Sequence, residues 1–149
     1  TRVMTLNYND MDIDNIFGLF SDSEFIMEGK PSVEFSKTPI YWVGMYKKLI
    51  LNHINFNKKI LKFFEKANEE FDVEDIKEAG EFFVYNRAWG YIEKIDIEKP
   101  THLLALSEYS DEYLDTSLKL GINFYEQQEQ YEKCAFLKKL LDKTQEFIT

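Results

Sequence analysis

The residues best suited to acid–base, nucleophilic or metal chemistry are few in this chain. His53 and His102 are its two histidines and Cys134 is its one cysteine. His53 falls among apolar residues, where we expect a buried, hydrogen-bonded core histidine. His102 follows Thr101 at a predicted helix start, where we expect a capping or solvated role. Cys134 falls at an inward helical position, so we expect an inert core residue, because a nucleophilic thiolate needs an electropositive pocket.

Acidic residues are abundant, but their spacing carries no specific chemical signal. Pairs such as Glu69/Glu70 and Asp111/Glu112 are expected by chance among 27 acidic residues. The sequence has no glycine-rich phosphate loop, no nucleophile elbow and no His-Glu-x-x-His zinc motif. We therefore predict a protein that is not an enzyme, with no catalytic residue, no metal site and no cofactor. A metal-dependent enzyme that uses converging acidic residues is an alternative, since folds without these motifs also support catalysis.

An arginine inside an aromatic run is a more specific feature. Arg87 lies within the segment from Phe82 to Tyr91. A buried guanidinium needs a carboxylate or carbonyl partner, so a structural ion pair is one interpretation. The other is an interface anchor, because Tyr, Trp and Arg are enriched at binding hot spots. On this second interpretation, the candidate partner-binding residues are Arg87, Tyr85, Trp89 and Tyr91.

A second candidate surface is a group of lysines on one side of a predicted helix over residues 41–71. At 100° per residue they fall within about a third of the circumference. They are Lys47, Lys48, Lys58, Lys59, Lys62 and Lys66. A solvated helix face is one interpretation, and docking of an anionic partner is the other. For the docking interpretation the candidate residues are Lys58, Lys59 and Lys62.

The elements that would position these side chains are helices. Apolar residues recur with a period near 3.6 over residues 41–71, and Thr38-Pro39 is a typical helix start. Leucine spacing predicts helices over 102–120 and 122–148, interrupted at Gly121. With a bend at Glu126–Gln130, these residues indicate a helical hairpin.

The segment between these two regions has two interpretations. A helix beginning at Asp72 and running through the aromatic run is favoured. Because this run is apolar on all sides, such a helix is expected to be central and buried. The alternative is strand structure within residues 82–95, since the run is rich in β-forming residues.

The N-terminal part of the chain lacks a sustained helical period. Residues 16–20 are typical of one short helix, and residues 24–27 and 32–36 are compatible with short paired strands. An extended arm that orders on a partner is the alternative. The predicted architecture is thus mainly α: an irregular N-terminal segment over 1–40, and a single domain of amphipathic helices over 41–149 that ends in the hairpin at about 102–148.

The second arm of the hairpin carries a recognisable pattern. The segment Tyr131-Glu132-Lys133-Cys134-Ala135-Phe136-Leu137-Lys138-Lys139-Leu140-Leu141 aligns with aromatic-Glu-x-Ala-Ala-x-Leu-Arg-Asp-x-Ile. In this respect the C-terminal part, about 30 residues, resembles the UvrB/UvrC (UVR) helical-hairpin motif. Tyr131, Glu132, Ala135 and Leu137 match, whereas Lys139 stands where that family has Asp. The resemblance implies a hairpin that docks on other proteins and does not catalyse.

Composition narrows the class of protein further. The chain has 149 residues, a formal net charge of −9 and 44% hydrophobic residues, which suits one acidic globular domain. Direct nucleic-acid binding is not expected, because it requires net neutralisation of phosphates. No apolar stretch approaches the roughly 20 residues that span a bilayer, so no membrane association is expected. A single cysteine favours a cytoplasmic location.

These observations together predict a small acidic interaction protein, that is, an adaptor, an inhibitor or an immunity-type factor whose partner is another protein. Sixty-four residues are Phe, Tyr, Met, Ile, Asn or Lys, whose codons are AT-rich. This bias indicates a phage or a low-GC bacterium, and the location would be the host cytoplasm for a virus. A nucleic-acid mimic that blocks a DNA- or RNA-binding protein is the first alternative, and the metal-dependent enzyme is the second. A homo-oligomer is compatible with the same sequence.

Overall fold

The structure, a computed structural model, describes residues 32–67 and 73–149. This part of the chain consists of helices and connections, without a strand, so the prediction of a mainly α fold is confirmed. The helices are α1 Val33–Ser36, α2 Pro39–Ala67, α3 Val73–Ile92, α4 Pro100–Glu108, α5 Glu112–Gln127 and α6 Tyr131–Ile148.

The N-terminal half of α2 is the centre of the bundle. Its side chains are buried in nearly every direction, as Val43, Met45, Tyr46 and Ile50 illustrate. This follows because α3, α4 and α5 all pack against α2. Further along α2, Asn55, Lys58, Lys59 and Lys62 are exposed whereas Phe56 is buried, which is the pattern of an amphipathic surface helix.

Tyrosine hydroxyl groups tie the central helices together. The Tyr46 hydroxyl donates to the backbone carbonyl of Ser117 in α5 at 2.7 Å. The Tyr125 hydroxyl donates to the carbonyl of Tyr85 in α3 at 2.9 Å. The ring of Tyr85 also stacks on Phe124, with centroids 4.5 Å apart. Large aromatic side chains therefore fill the space between α3 and α5, and the hydroxyls of Tyr46 and Tyr125 each have a backbone partner.

The predicted C-terminal hairpin is present, with one difference in its first arm. Helices α5 and α6 pack along each other across a tight turn in which Glu129 has a positive φ of 58°. Gly121 does not interrupt α5, so that prediction is wrong. The interruption lies instead before Asp111, whose carboxylate accepts from the Leu114 amide at 2.8 Å and starts a new helix.

Two further sequence predictions are corrected by the helices. Residues 33–36 form α1, capped by the Ser32 hydroxyl, so the strand interpretation of 32–36 is wrong. The aromatic run is helical and not a strand, but it is not buried on all sides, because Phe82 and Phe83 are about half exposed. The predictions for residues 16–20 and 24–27 lie outside the described residues.

Within residues 32–67 and 73–149, no helix has both the length and the hydrophobicity needed to cross a membrane.

Candidate protein interaction surface

His53 is a core residue, as the sequence predicts. Its side chain is 4% exposed and packs edge-on against Tyr85, with ring centroids 5.9 Å apart. Its Nε2 lies 3.3 Å from the side-chain nitrogen of Asn57. Burial, with a smaller contribution from Lys77, lowers the pKa of His53 to about 4. The imidazole is therefore uncharged at neutral pH and contributes to the packing of the core.

His102 is buried too, which corrects the expectation of a solvated side chain. Its Nδ1 accepts a hydrogen bond from the backbone amide of Asp96 at 3.0 Å. Its ring lies edge-on to Trp42, with centroids 5.7 Å apart. Because these contacts join the α3–α4 connection to α2, His102 closes a turn, which is close to the predicted capping role.

Cys134 packs inside the hairpin, and the acidic residues of the described part of the chain form no metal-binding cluster. The Cys134 thiol is half-buried and donates to the Ile122 carbonyl at 3.4 Å. Burial, with the nearby Glu126 carboxylate, raises the pKa of this thiol, so the reactive thiolate is disfavoured. Among residues 32–67 and 73–149, no group of three or more His, Cys, Asp and Glu side chains could hold a metal ion.

The four predicted interface anchors of the aromatic run do not form one surface. Tyr85 lies in the core and is closed off by Phe124. Trp89 is half-buried, and the Lys133 ammonium lies 5.0 Å from its ring centroid. Tyr91 is half-buried against Tyr41, and Arg87 is half-buried on another side of α3. The aromatic run therefore supplies mainly core packing, and Arg87 and Tyr91 are only partly buried.

The lysines do not share one solvated face either. The Lys47 ammonium pairs with the Asp111 carboxylate at 2.6 Å, so this lysine joins α2 to the α4–α5 connection. Desolvation raises the pKa of Asp111, but the hydrogen bonds from Lys47 and the Leu114 amide outweigh this effect and hold the pKa below its usual value. Lys48 is half-buried, whereas Lys58, Lys59 and Lys62 are exposed as predicted. The side chain of Lys66 lies outside the description.

The surface that the structure singles out is the outer face of α3. We use this name for five uncharged residues on the outer side of α3: Ala79, Phe82, Phe83, Asn86 and Gly90. Phe82 is 48% exposed although its ring also lies edge-on to Phe124, with centroids 5.8 Å apart, and Phe83 is 49% exposed. In a chain with 30% charged residues, three helical turns without a charge on the solvent side are unusual.

Sequence reasoning missed this face although its spacing is regular. Ala79, Phe83, Asn86 and Gly90 follow a spacing of four, three and four residues, which is the seam spacing of packed helices. The signal was hidden because the opposite side of α3 is also apolar, so that no single apolar face stands out. Only the packing of α3 against α2 shows which of the two faces is left exposed.

Comparisons with protein-family models, with curated proteins and with solved structures found no match for this chain. The likeness of the hairpin to the UVR motif therefore stays a resemblance in sequence. In the structure Tyr131, its aromatic position, is 62% exposed at the start of α6.

Proposed function

We propose that this protein is a non-enzymatic protein–protein interaction factor and that a helix of its partner docks on the outer face of α3. The observation that carries the proposal is the exposure of Phe82 and Phe83 side by side on an uncharged helix face. Full burial of a phenylalanine side chain contributes about 1.5–3 kcal/mol, and half of this contribution is unused at each ring. A partner that covers both rings gains this remaining free energy of burial.

The spacing of the face supports a helical partner. Residues four, three and four positions apart form the holes into which the apolar side chains of a second helix insert. Ala79 and Gly90, at the two ends, allow the backbones to approach closely. Asn86 adds a polar group near the middle, and a single amide in such a seam fixes the register of the partner.

Charged residues on the two borders of the face would set the orientation of that partner. At 100° per residue, Arg87 falls on one border and Glu78 on the other. A matching helix therefore has an apolar stripe, an acidic residue opposite Arg87 and a basic residue opposite Glu78. Such opposite borders discriminate between partners more than they add affinity.

Position-specific cross-linking in the source cell tests the proposal. A photoreactive amino acid placed at Phe83 should yield one discrete adduct. The same group at Leu104, which is 63% exposed on α4, provides a matched control and should not yield that adduct. An adduct at both positions, or at neither, contradicts docking on this face. An adduct with a second copy of the chain would identify a homo-oligomer.

The identified partner then has to be reconstituted with purified variants. Phe83→Asp should weaken binding about 30-fold or more, which corresponds to loss of a hot spot worth about 2 kcal/mol. Leu104→Asp should leave the affinity unchanged. Circular dichroism and thermal unfolding of both variants control for folding. Equal affinities of the two variants would count against the outer face as the docking site.

The dependence of this binding on salt separates the proposal from a nucleic-acid mimic. Glu74, Asp75, Glu78 and Glu81 give the first half of α3 an acidic character. A mimic would use such charges, and its affinity would fall steeply as salt is raised, because exposed charges are screened. Docking through Phe82 and Phe83 predicts an affinity that changes little. A steep loss would favour the mimic.

A further inference from the structure

A small cavity lies between α1, α2 and the connection of α4 to α5. Its volume is about 140 Å³. Its lining residues are Phe35, Tyr41, Gly44, Met45, Lys48 and Tyr109. The cavity is separate from the outer face of α3, with which it shares no residue, and the interaction function proposed above makes no use of it.

One wall of the cavity depends on a glycine in α2. A Cβ atom at Gly44 would lie 2.8 Å from the Tyr109 hydroxyl oxygen and 2.9 Å from its Cζ, so only glycine lets this ring pack directly on the helix backbone. The Lys47 ammonium lies 5.6 Å from the centroid of the Tyr109 ring, and Lys47 also pairs with Asp111. These contacts hold the Tyr109 wall in place.

The opposite wall comes from α1. The ring of Phe35 lies edge-on to Tyr41, with centroids 5.5 Å apart, and it remains 44% exposed beside the cavity. The α1 helix is fixed to α2 by a hydrogen bond from the Trp42 indole to the Ser36 carbonyl at 3.0 Å. Three aromatic rings and Met45 thus surround the space, and a thioether adapts readily to the shape of a bound group.

Size and charge together define the class of ligand. The volume is well below the roughly 300–1,000 Å³ of sites for drug-sized molecules, and it suits one aromatic ring or one branched aliphatic group. Lys48 is the single charged residue of the lining. An ammonium has three donors, so it can receive a carboxylate in addition to other partners.

We propose that this cavity binds a compact carboxylate that carries one aromatic or branched aliphatic group. The apolar group packs between Phe35, Tyr41 and Tyr109, and the carboxylate pairs with the Lys48 ammonium at the edge. Partial burial of Lys48 strengthens this pairing relative to an exposed lysine, because screening by water is weaker there. The same chemistry occurs in a free small acid and in the C-terminal residue of a peptide.

Phenylacetate is the first probe, and methyl NMR of the full chain is the measurement. Met45 lines the cavity, and its methyl signal is assigned with Met45→Leu. The signal should shift saturably with phenylacetate. The neutral analogue phenylacetamide should bind at least about tenfold more weakly, and the cationic analogue phenethylamine should not bind. No saturable shift, or equal affinities for the three compounds, would overturn the proposal.

Variants of two lysines on the same helix complete the test. Lys48→Met keeps the aliphatic stem and removes the charge, so phenylacetate should bind no better than phenylacetamide. Lys58→Met, at an exposed position of α2, should behave as the wild type. Undiminished binding of phenylacetate to Lys48→Met would contradict the role of the ammonium. Phe83→Asp should also bind phenylacetate normally, which separates this site from the outer face of α3.

The source of the carboxylate is addressed with a second probe. N-acetyl-phenylalanine imitates the C-terminal residue of a peptide. An affinity equal to that of phenylacetate supports the site and points to a peptide terminus. An affinity more than about tenfold lower supports the site and points to a free small acid.

Discussion

Two helical glycines show how differently the inside and the outside of this molecule are constrained. Gly121 lies in α5 where the Tyr46 hydroxyl contacts the helix, and an added Cβ would overlap that oxygen. Gly90 lies on the outer face of α3, and an added Cβ there would meet nothing within 4 Å. Packing explains the first glycine and leaves the second unexplained. A residue that the fold does not require is where a functional requirement is best sought.

The largest effect is expected at the inner glycine. Gly121→Ala should destabilise the protein by about 2–4 kcal/mol, because Tyr46 must move and its hydrogen bond to Ser117 is lost or distorted. Urea unfolding followed by circular dichroism measures the change. Tyr46→Phe removes the clashing oxygen, so the double variant should be less destabilised than the sum of the single variants predicts. Strict additivity would show that this contact is not the cause.

The second prediction concerns the protonation of the core. His53 has a pKa of about 4 in the folded state and about 6.5 when unfolded. Between these values the unfolded chain binds a proton that the folded chain does not. Stability from this group is therefore complete above pH 6.5 and is lost as the pH falls towards 4. The loss amounts to about 2–3 kcal/mol.

The control for this pH dependence is a variant without the imidazole. The free energy of unfolding of His53→Leu, measured by urea titration at pH 7, 6, 5 and 4, should fall less steeply than that of the wild type. The carboxyl groups titrate in both proteins, so the difference between the two curves isolates His53. Parallel curves would show that His53 binds no additional proton on unfolding. The pKa of His53 would then not be lowered by burial in the core.

The third prediction concerns the outer glycine. Gly90→Ala should stabilise the protein by up to about 1 kcal/mol, since alanine favours the helix and the added methyl group meets no neighbour. Thermal unfolding measures this gain. If the face binds a partner helix closely, the same substitution should weaken that complex. A Gly90→Ala monomer that is less stable than the wild type would contradict this contrast, because packing would then explain both glycines.

The same contrast explains which features were predictable from the sequence. The α5–α6 hairpin and most of α2 follow from local spacing, and both were predicted. The role of Gly121 depends on Tyr46, and that of Lys47 depends on Asp111, which is 64 residues away. Such non-local contacts leave no local pattern. The outer face of α3 was missed because periodicity does not tell which of two apolar sides is buried.

The smallest effect is expected at the exposed end of α2. Lys58, Lys59 and Lys62 form no ion pair among those that join described residues, and all three are exposed. Reversing all three to Glu should change the free energy of unfolding by at most a few tenths of a kcal/mol per residue, because exposed charges contribute little. The helix dipole acts most strongly in the last turn of α2, and Lys62 lies before that turn. The contribution of the dipole to the change in stability is therefore also small.

The triple reversal also decides between the two candidate interaction surfaces. If the partner docks on the outer face of α3, Lys58→Glu, Lys59→Glu and Lys62→Glu together should leave its dissociation rate unchanged and alter the association rate only slightly. If these lysines bind an anionic partner, the association rate should fall sharply at low salt and less at high salt, since steering by charge acts mainly on encounter. Stopped-flow binding to the cross-linked partner, at two salt concentrations, separates these results. A sharp fall would move the interaction site from α3 to the end of α2.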